Sequence, residues 1–375
     1  MVNRQTAPVL GAKLSPYLEE GEWQLGATYR TFHADTQYTG TRPNPDVTRL
    51  KTNVISDLQL LDIGATYALD RNWNLTLGVP VVIYASSSRA LPATNADSPR
   101  FVHSTEGLGD ITLTARRWLL ETERKGRGNV SLGVGLKLPT GNANAKDLFP
   151  NGRGQDIRLR PVDQSIQLGD GGWGVIFDMQ AFRQVDKFTF LMQGSYLSNP
   201  RASNGTLSPP ALLNPNGPGA VAPNLRYNTV ADQYLGRVGF THPVPGVEGL
   251  NVLLAGRIEG VPQKDLWGET TGFRRPGYGI AIEPGIIYTL PGGRTTASVS
   301  VPVTTQVNRQ PVDGVPGDAT FADYSILATV THRFGGRGVH RPAVAATRTR
   351  IVDARCPKCG HLHGPAAASP AAGSG

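Results

Sequence analysis

The feature that most restricts the fold of this 375-residue chain is a strict alternation of apolar and polar residues. The stretches 73–83 (WNLTLGVPVVI) and 130–138 (VSLGVGLKL) show it clearly. A period of two is typical of a β-strand whose two faces meet different surroundings, and helical spacing fits neither stretch. The pattern therefore predicts an all-β protein.

Twelve alternating segments occur, most of them 11–14 residues long, and two are predicted as continuous strands over 108–120 and 295–308. At about 3.3 Å per residue and a tilt near 40°, such strands span roughly 28–35 Å, which matches a membrane. Strands in soluble sheets average only about 5–6 residues. A soluble β-sandwich, in which alternation also appears, is therefore the weaker interpretation.

The connections between these segments alternate between short and long. Residues 70–72 form a short link, whereas 142–171 and 200–230 are long and polar. In an up-and-down barrel this places all short turns and both chain ends on one side. The sequence thus predicts an antiparallel transmembrane β-barrel of about 12 strands, with short periplasmic turns and long extracellular loops.

Charge and composition narrow the setting. No apolar stretch reaches the ~18–20 residues of a transmembrane helix. Of the net charge of +8, +5 lies in 335–375 (six basic residues against Asp353), so the body is nearly balanced and nucleic acid is not a predicted partner. We expect a periplasmic segment at 1–21 with no visible signal peptide, a barrel at 22–334 and a basic, largely disordered periplasmic tail at 335–375.

These features predict the cell outer membrane of a Gram-negative bacterium as the location. The expected partners are outer-membrane lipid, a small-molecule solute and the barrel-assembly machinery. Parity also predicts which charged side chains face inward, because an Arg or Lys facing lipid near mid-membrane costs about 2–4 kcal/mol. The predicted pore-lining residues are Arg30, Asp62, Asp110, Arg116, Lys137, Asp178, Arg237, Arg257, Glu259, Glu283 and Arg333. They either pass a polar or weakly anionic solute through a wet interior or pair with one another across it.

The only two cysteines lie in the tail, in the motif Cys356-Pro-Lys-Cys359-Gly-His361-Leu-His363. Two thiolates and two imidazoles suit zinc or Cu(I). Against a metal, the second knuckle of a zinc ribbon is missing and four ligands within eight residues strain the geometry, and an oxidising periplasm favours a Cys356–Cys359 disulfide. No cofactor is otherwise predicted. A metal-handling role for the tail is the alternative function.

Enzymatic signals are weak. No Gly-x-Ser-x-Gly, P-loop or His-Glu-x-x-His motif occurs, and His242 and His332 have no evident serine partner, so a membrane hydrolase is the least favoured hypothesis. The loops contain basic elements at 153–160 and 272–275 (GFRR). Either of these elements could fold inward as a constriction, but solvated loop is the commoner structure.

Two Gly-rich stretches carry a family resemblance. Residues 107–111 (GLGDI) and 130–141 (VSLGVGLKLPTG), with 10–23 (LGAKLSPYLEEGEW), resemble the outer-membrane family called MetA-pathway of phenol degradation. The resemblance implies a porin-like transport role, often linked to aromatic-compound catabolism, and with the weak catalytic signals we expect no enzymatic activity. Together with the barrel pattern it predicts a channel for small molecules, aromatic or hydrophobic compounds among them. The cysteine-bearing tail departs from the family pattern.

Overall fold

The computed structural model describes residues 17–120, 127–213, 222–312 and 317–335, and nearly all of its regular structure is β. Two short helices, α1 (Pro45–Arg49) and α2 (Pro209–Leu213), and two 3-10 turns (Gln164–Ile166 and Pro223–Leu225) lie between strands. The strands are β1 (Glu22–Thr39), β2 (Arg42–Pro43), β3 (Ile55–Ala68), β4 (Trp73–Ala90), β5 (Arg100–Leu108), β6 (Thr112–Trp118), β7 (Gly128–Lys137), β8 (Lys146–Phe149), β9 (Arg158–Pro161), β10 (Gly174–Val185), β11 (Phe188–Ser198), β12 (Ser203–Leu207), β13 (Tyr227–Thr229), β14 (Gln233–Pro243), β15 (Leu250–Val261), β16 (Gly277–Thr289), β17 (Thr295–Ser300), β18 (Val303–Arg309) and β19 (Asp318–Gly335).

The large sheet is a closed antiparallel barrel. Its order around the wall is β1, β3, β4, β5 with β6, β7, β10, β11, β14, β15, β16, β17 with β18, and β19. Counting each split pair as one gives twelve wall strands. The first and last strands close the barrel along a ladder from the Glu22–Gly335 pair to the Thr39–Asp318 pair. The predicted fold is confirmed.

The outer surface of the wall is formed by the apolar parity of each strand. On β7, for example, Leu132, Val134 and Leu136 are exposed, whereas Ser131 and Gly133 face inward and are buried. Half-exposed aromatic side chains, such as Trp23 and Phe334 near the short turns and Trp173 and Tyr324 on the other side, lie toward the strand ends. Exposed apolar residues flanked by aromatic residues are typical of a membrane-facing barrel surface.

A charge on this surface should be costly. Val134 lies about halfway along β7 and is 58% exposed. We expect Val134→Arg to lower the free energy of unfolding in lipid vesicles by about 2–4 kcal/mol, because arginine at mid-membrane loses its hydration. Val247→Arg, in the exposed short turn between β14 and β15, is the control and should change it by less than about 0.5 kcal/mol. Equal effects in guanidinium titrations would mean that the apolar parity does not face lipid.

Two wall strands are interrupted, where the sequence predicts continuous strands over 108–120 and 295–308. Between β5 and β6, the Asp110 carboxylate accepts hydrogen bonds from the Gly141 and Asp170 amides. These bonds hold the segment around Asp110 outside the strand ladder. Between β17 and β18, Pro302 has no N–H to donate to a neighbouring strand. The alternation pattern continues through both breaks, so it did not reveal them.

Among the described residues no helix is long and apolar enough to cross a membrane.

Candidate functional site: a cavity in the long-loop half of the barrel

Halfway along the barrel, inward charges from four wall strands form an ion-pair network, here called the ion-pair floor. It consists of Arg30, Arg237, Arg257, Glu259 and Glu283. The Glu259 carboxylate bridges two guanidinium groups, 2.7 Å from Arg30 Nη2 and 3.0 Å from Arg257 Nη2. Glu283 lies 2.7 Å from Arg237 Nη2 and 3.9 Å from Arg257 Nη1. The floor thus holds three guanidinium groups and two carboxylates, a formal charge of 3 − 2 = +1.

The other predicted pore-lining residues also lie on inward positions. Arg116 Nε is 2.6 Å from Asp178 Oδ1, and Asp62 is buried on β3. Lys137 pairs with Asp170 and lies 3.7 Å from Asp110 at the wall break. Near the short turns, Arg333 donates hydrogen bonds to the Gln24 side chain and the Tyr17 carbonyl. The structure therefore places most of these charges in ion pairs, and their role in lining a pore stays a prediction.

Toward the long loops, a second network joins several loops to one another and to the barrel wall. We call it the loop cap: Asp163, Gln164, Thr229, Phe273 and Arg275. The buried Asp163 carboxylate bridges Arg275, at 2.9 Å, and Arg89 of β4, also at 2.9 Å. Gln164 Nε2 donates to the carbonyls of Thr229 and Phe273, so three separate loops meet at this point.

Two arginines control the protonation of the cap carboxylate. Burial by itself raises the pKa of a carboxyl group, but the Arg275 and Arg89 guanidinium groups, with hydrogen bonds from Arg275 and the Ser165 amide, hold the pKa of Asp163 well below its usual range. Asp163 is therefore charged near neutral pH. The same ion pair raises the pKa of Arg275 despite its burial.

The favoured sequence interpretation of 272–275 as solvated loop is wrong. Arg274 is buried and pairs with Asp265, and Arg275 belongs to the loop cap. Arg274 meets a carboxylate of its own loop and Arg275 meets one from another loop, and local alternation reveals neither contact. The element at 153–160 is divided: Arg158 is exposed, whereas the Arg160 side chain is mostly buried and donates to the Phe149 carbonyl.

Between the floor and the cap lies a cavity of about 510 Å³. Its walls are partly apolar, with side chains such as Phe32, Leu58, Ile166 and Phe321. Charged groups lie in the same lining, and among the described residues these are Arg30, Arg89, Arg257, Arg275, Arg309, Asp57, Asp163, Glu259 and Asp318. Five arginines and four carboxylates give the lining a formal charge of 5 − 4 = +1. This mixture suits a molecule with an apolar body and a polar end.

The cavity reaches an interruption in the barrel wall. Within the described parts of β18 and β19, the only paired positions are Val303 and Tyr324. Beyond this pair, Thr304 Oγ1 donates to the Ala322 carbonyl at 2.7 Å, and the backbone of β18 pairs with β16. Tyr324 lines the cavity and is also 55% exposed on the outer surface. The wall beside the cavity therefore has fewer backbone pairs between β18 and β19 than between β16 and β18.

At the short-turn end an apolar cluster lies beside buried polar side chains such as Asn74 and Thr241, and the wet lumen stays a prediction. Trp118, Leu191, Leu253, Ala255 and Ile287 form a buried cluster, and Tyr17 and Phe182 pack against it. Their ring centroids lie 5.2 Å (Tyr17–Trp118) and 5.8 Å (Trp118–Phe182) apart. Asn129 donates to the Tyr17 hydroxyl at 3.0 Å and anchors the segment before β1. We call these seven residues the inner plug.

The predicted metal ligands Cys356, Cys359, His361 and His363 lie outside the described residues, so a metal at the tail stays a prediction. Within residues 17–335, apart from the undescribed gaps, no group of three or more His, Cys, Asp or Glu side chains could hold a metal ion. Among these residues, Ser86, His33 and Asp57 bring the three side-chain types of a catalytic triad together. His33 Nδ1 lies 2.6 Å from Asp57, but Ser86 donates to Asp57 rather than contacting His33. This geometry does not activate a serine nucleophile.

Comparison with known proteins supports the fold. No protein-family model and no curated protein matches the sequence. Among solved structures, the chain is similar to the COG4313 outer membrane channel from Pseudomonas putida F1 at 13% identity, with a TM-score of 0.53 over 88% of this chain and 100% of that one. A Pseudomonas aeruginosa FadL homologue (8% identity, 84% and 90% covered, TM-score 0.39) and the TodX monoaromatic hydrocarbon channel (10%, 84% and 90%, 0.37) are more distant. The two distant likenesses are too weak to indicate a shared function.

The likeness to the Pseudomonas putida structure, at this identity, shows a shared fold. The chain has the fold of an outer-membrane barrel. Membership of the MetA-pathway family stays a prediction.

Proposed function

We propose that this chain is an outer-membrane channel that passes small molecules with an apolar body and a polar end. The observation that carries the proposal is the cavity of about 510 Å³, which combines apolar walls with arginines and lies inside a closed membrane barrel. A purely aqueous pore has no need of the apolar lining, and a structural barrel has no need of the cavity. The similar fold of a protein described as an outer membrane channel supports the proposal.

The proposed orientation decides which compartment each end of the barrel faces. With the short turns in the periplasm, as the loop lengths suggest, the loop cap faces the cell exterior and the inner plug faces the periplasm. In the proposed route, a solute occupies the cavity between these two ends, and passage requires the loop cap and the inner plug to give way in turn. The proposed location is the outer membrane of a Gram-negative bacterium, and compounds of aromatic catabolism are candidate solutes.

Filling the cavity should stop passage without unfolding the barrel. Gly279 lines the cavity, and a Cβ placed on it meets no atom within 4 Å. We expect Gly279→Trp to reduce uptake of small amphipathic solutes into proteoliposomes by about tenfold or more, because the indole occupies the space that a solute needs. The measurement is liposome swelling or entrapped-dye uptake at matched protein content.

The control is Gly256→Trp. Gly256 lies on the lipid-facing parity of β15, and its Cβ would have only the Val238 carbonyl nearby, at 3.9 Å. It adds the same indole outside the barrel and should leave uptake unchanged. If Gly279→Trp folds and transports as fast as wild type, the cavity is not on the transport route.

A further inference from the structure

The cavity contains a repeated arrangement that the proposed function does not explain. At the floor, Glu259 bridges Arg30 and Arg257, and at the cap, Asp163 bridges Arg89 and Arg275. In each set two guanidinium groups share one carboxylate. Each carboxylate is shared by both guanidinium groups of its set, whereas each guanidinium has five N–H donors. At the floor, the Nε donors of both arginines are unused.

The floor set is the more deeply buried of the two. The side chains of Arg30 and Arg257 are 7% and 10% exposed, and the Nε of each is buried with no hydrogen-bond partner among the described residues. A buried donor of a charged group without a partner is costly, so an anionic acceptor that reached it would be stabilised. Glu283 binds Arg237 and Ser300 through Oε1, and its Oε2 lies 3.9 Å from Arg257 Nη1, beyond hydrogen-bond distance and without a partner among the described residues.

The remaining acidic groups of the lining have partners of their own. Asp57 interacts with His33 and Ser86, and Asp318 accepts a hydrogen bond from Gln37. Neither therefore provides a carboxylate to the floor arginines. Apolar side chains of the cavity, among them Phe32 and Phe321, surround the space on the cap side of the floor. A cationic end and apolar walls lie in one compartment.

From this geometry we propose that the cavity is a binding site for small organic carboxylates, with the carboxylate on Arg30 and Arg257 and the apolar body against the walls. The inference rests on the proposed function and names its substrate class. A planar guanidinium fork matches a carboxylate in two parallel hydrogen bonds, which a neutral hydroxyl cannot form. Glu259 holds both arginines in place and at the same time limits the affinity by competing for them.

The test compares benzoate with benzyl alcohol, which has a similar ring but no charge, by calorimetric titration of the full chain in detergent. We expect benzoate to bind about tenfold or more tightly than benzyl alcohol, since hydrogen bonds to charged groups contribute at least that factor. Arg30→Gln should remove this preference. Glu259→Gln should strengthen benzoate binding, because it frees both arginines and raises the local charge by one. Benzyl alcohol affinity should not change in either variant.

The opposite signs of the two substitutions keep the test informative if one variant folds poorly, and resistance to unfolding in dodecyl sulfate before heating verifies the barrel. Equal affinity for the two probes, or a weaker benzoate affinity in Glu259→Gln, would overturn the inference while leaving the channel intact. Failure of both probes to bind, with unchanged uptake in Gly279→Trp, would instead overturn the proposed function.

Discussion

Replacing Asp163 with asparagine should open the cavity to the outside. Asn keeps the shape of the side chain but leaves the largely buried Arg89 and Arg275 guanidinium groups without a shared counter-charge. Removing one partner from a buried ion pair costs about 3–5 kcal/mol. Most of this loss should appear as release of the loop that carries Asp163, because Arg89 is fixed in β4 whereas Asp163 and Arg275 lie between strands.

A cysteine in the cavity reports the opening. Ala281 is buried and lines the cavity, so Ala281→Cys can be combined with Cys356→Ser and Cys359→Ser. We expect Asp163→Asn to raise the rate at which the cysteine of Ala281→Cys reacts with dithiodipyridine by roughly a hundredfold, given that about 1.4 kcal/mol corresponds to tenfold. Asp156→Asn is the control, because Asp156 pairs with Arg158 and Arg160 in the same loop but is exposed. Wild-type reactivity in Asp163→Asn would show that these ion pairs do not hold the cap.

The same reporter should respond to pH. The pKa of Asp163 is lowered in the folded protein, so its contribution to cap stability is complete above the ordinary aspartate pKa of about 4 and is lost as pH falls through the lowered value. With Asp163 unchanged, the reactivity of the cysteine of Ala281→Cys should therefore rise only below about pH 4. In Asp163→Asn this acid-induced rise should be absent, and a rise at the same pH in both proteins would assign it to another group.

Removing Trp118 should open the opposite end. Trp118 is 3% exposed and packs between Tyr17 and Phe182 in the inner plug. Trp118→Ala should lower the free energy of unfolding by about 3–5 kcal/mol through the lost burial and the cavity left behind. Trp73→Ala is a matched control. Trp73 on β4 pairs with Arg117, the residue next to Trp118, but it faces outward and is 40% exposed.

Conductance in planar bilayers separates a closure from a merely stabilising contact. The loop cap and the inner plug lie in series, so opening one leaves the other as the barrier. We expect the double variant Trp118→Ala/Asp163→Asn to conduct more than the sum of the two single variants, and Trp73→Ala/Asp163→Asn to match Asp163→Asn alone. Simple additivity would contradict two closures in series.

The wall of this barrel could be read from the sequence because each residue reports its own surroundings. Alternation depends only on which face meets lipid, so it predicted strands, number and inward charges such as Arg30 and Glu259. It did not predict that these two would meet, because they are 229 positions apart and become neighbours only through the register around the barrel. Their pairing is set by the whole wall.

The two closures were missed for different reasons. Asp163 lies in a long polar link, where local pattern carries no information about contacts with Arg89 and Arg275. The inner plug did leave a signal: Leu191, Leu253 and Ile287 are apolar residues on the inward parity, each within four residues of a short turn. The alternation pattern treats all inward positions alike, whereas an apolar cluster lies near the short turns and the ion-pair floor lies halfway along the barrel.

The ladder that joins β1 to β19 has a consequence for how the chain is inserted. Its two strands come from opposite ends of the wall. The backbone N–H and C=O groups on the edge of β1 that faces β19 therefore stay unpaired until the final strand has been inserted. In hydrocarbon each such unsatisfied group costs several kcal/mol. The partly inserted sheet therefore has two edge strands with unpaired backbone groups until the last strand is inserted. We expect an insertion catalyst that pairs temporarily with both edge strands and releases them together when β1 pairs with β19.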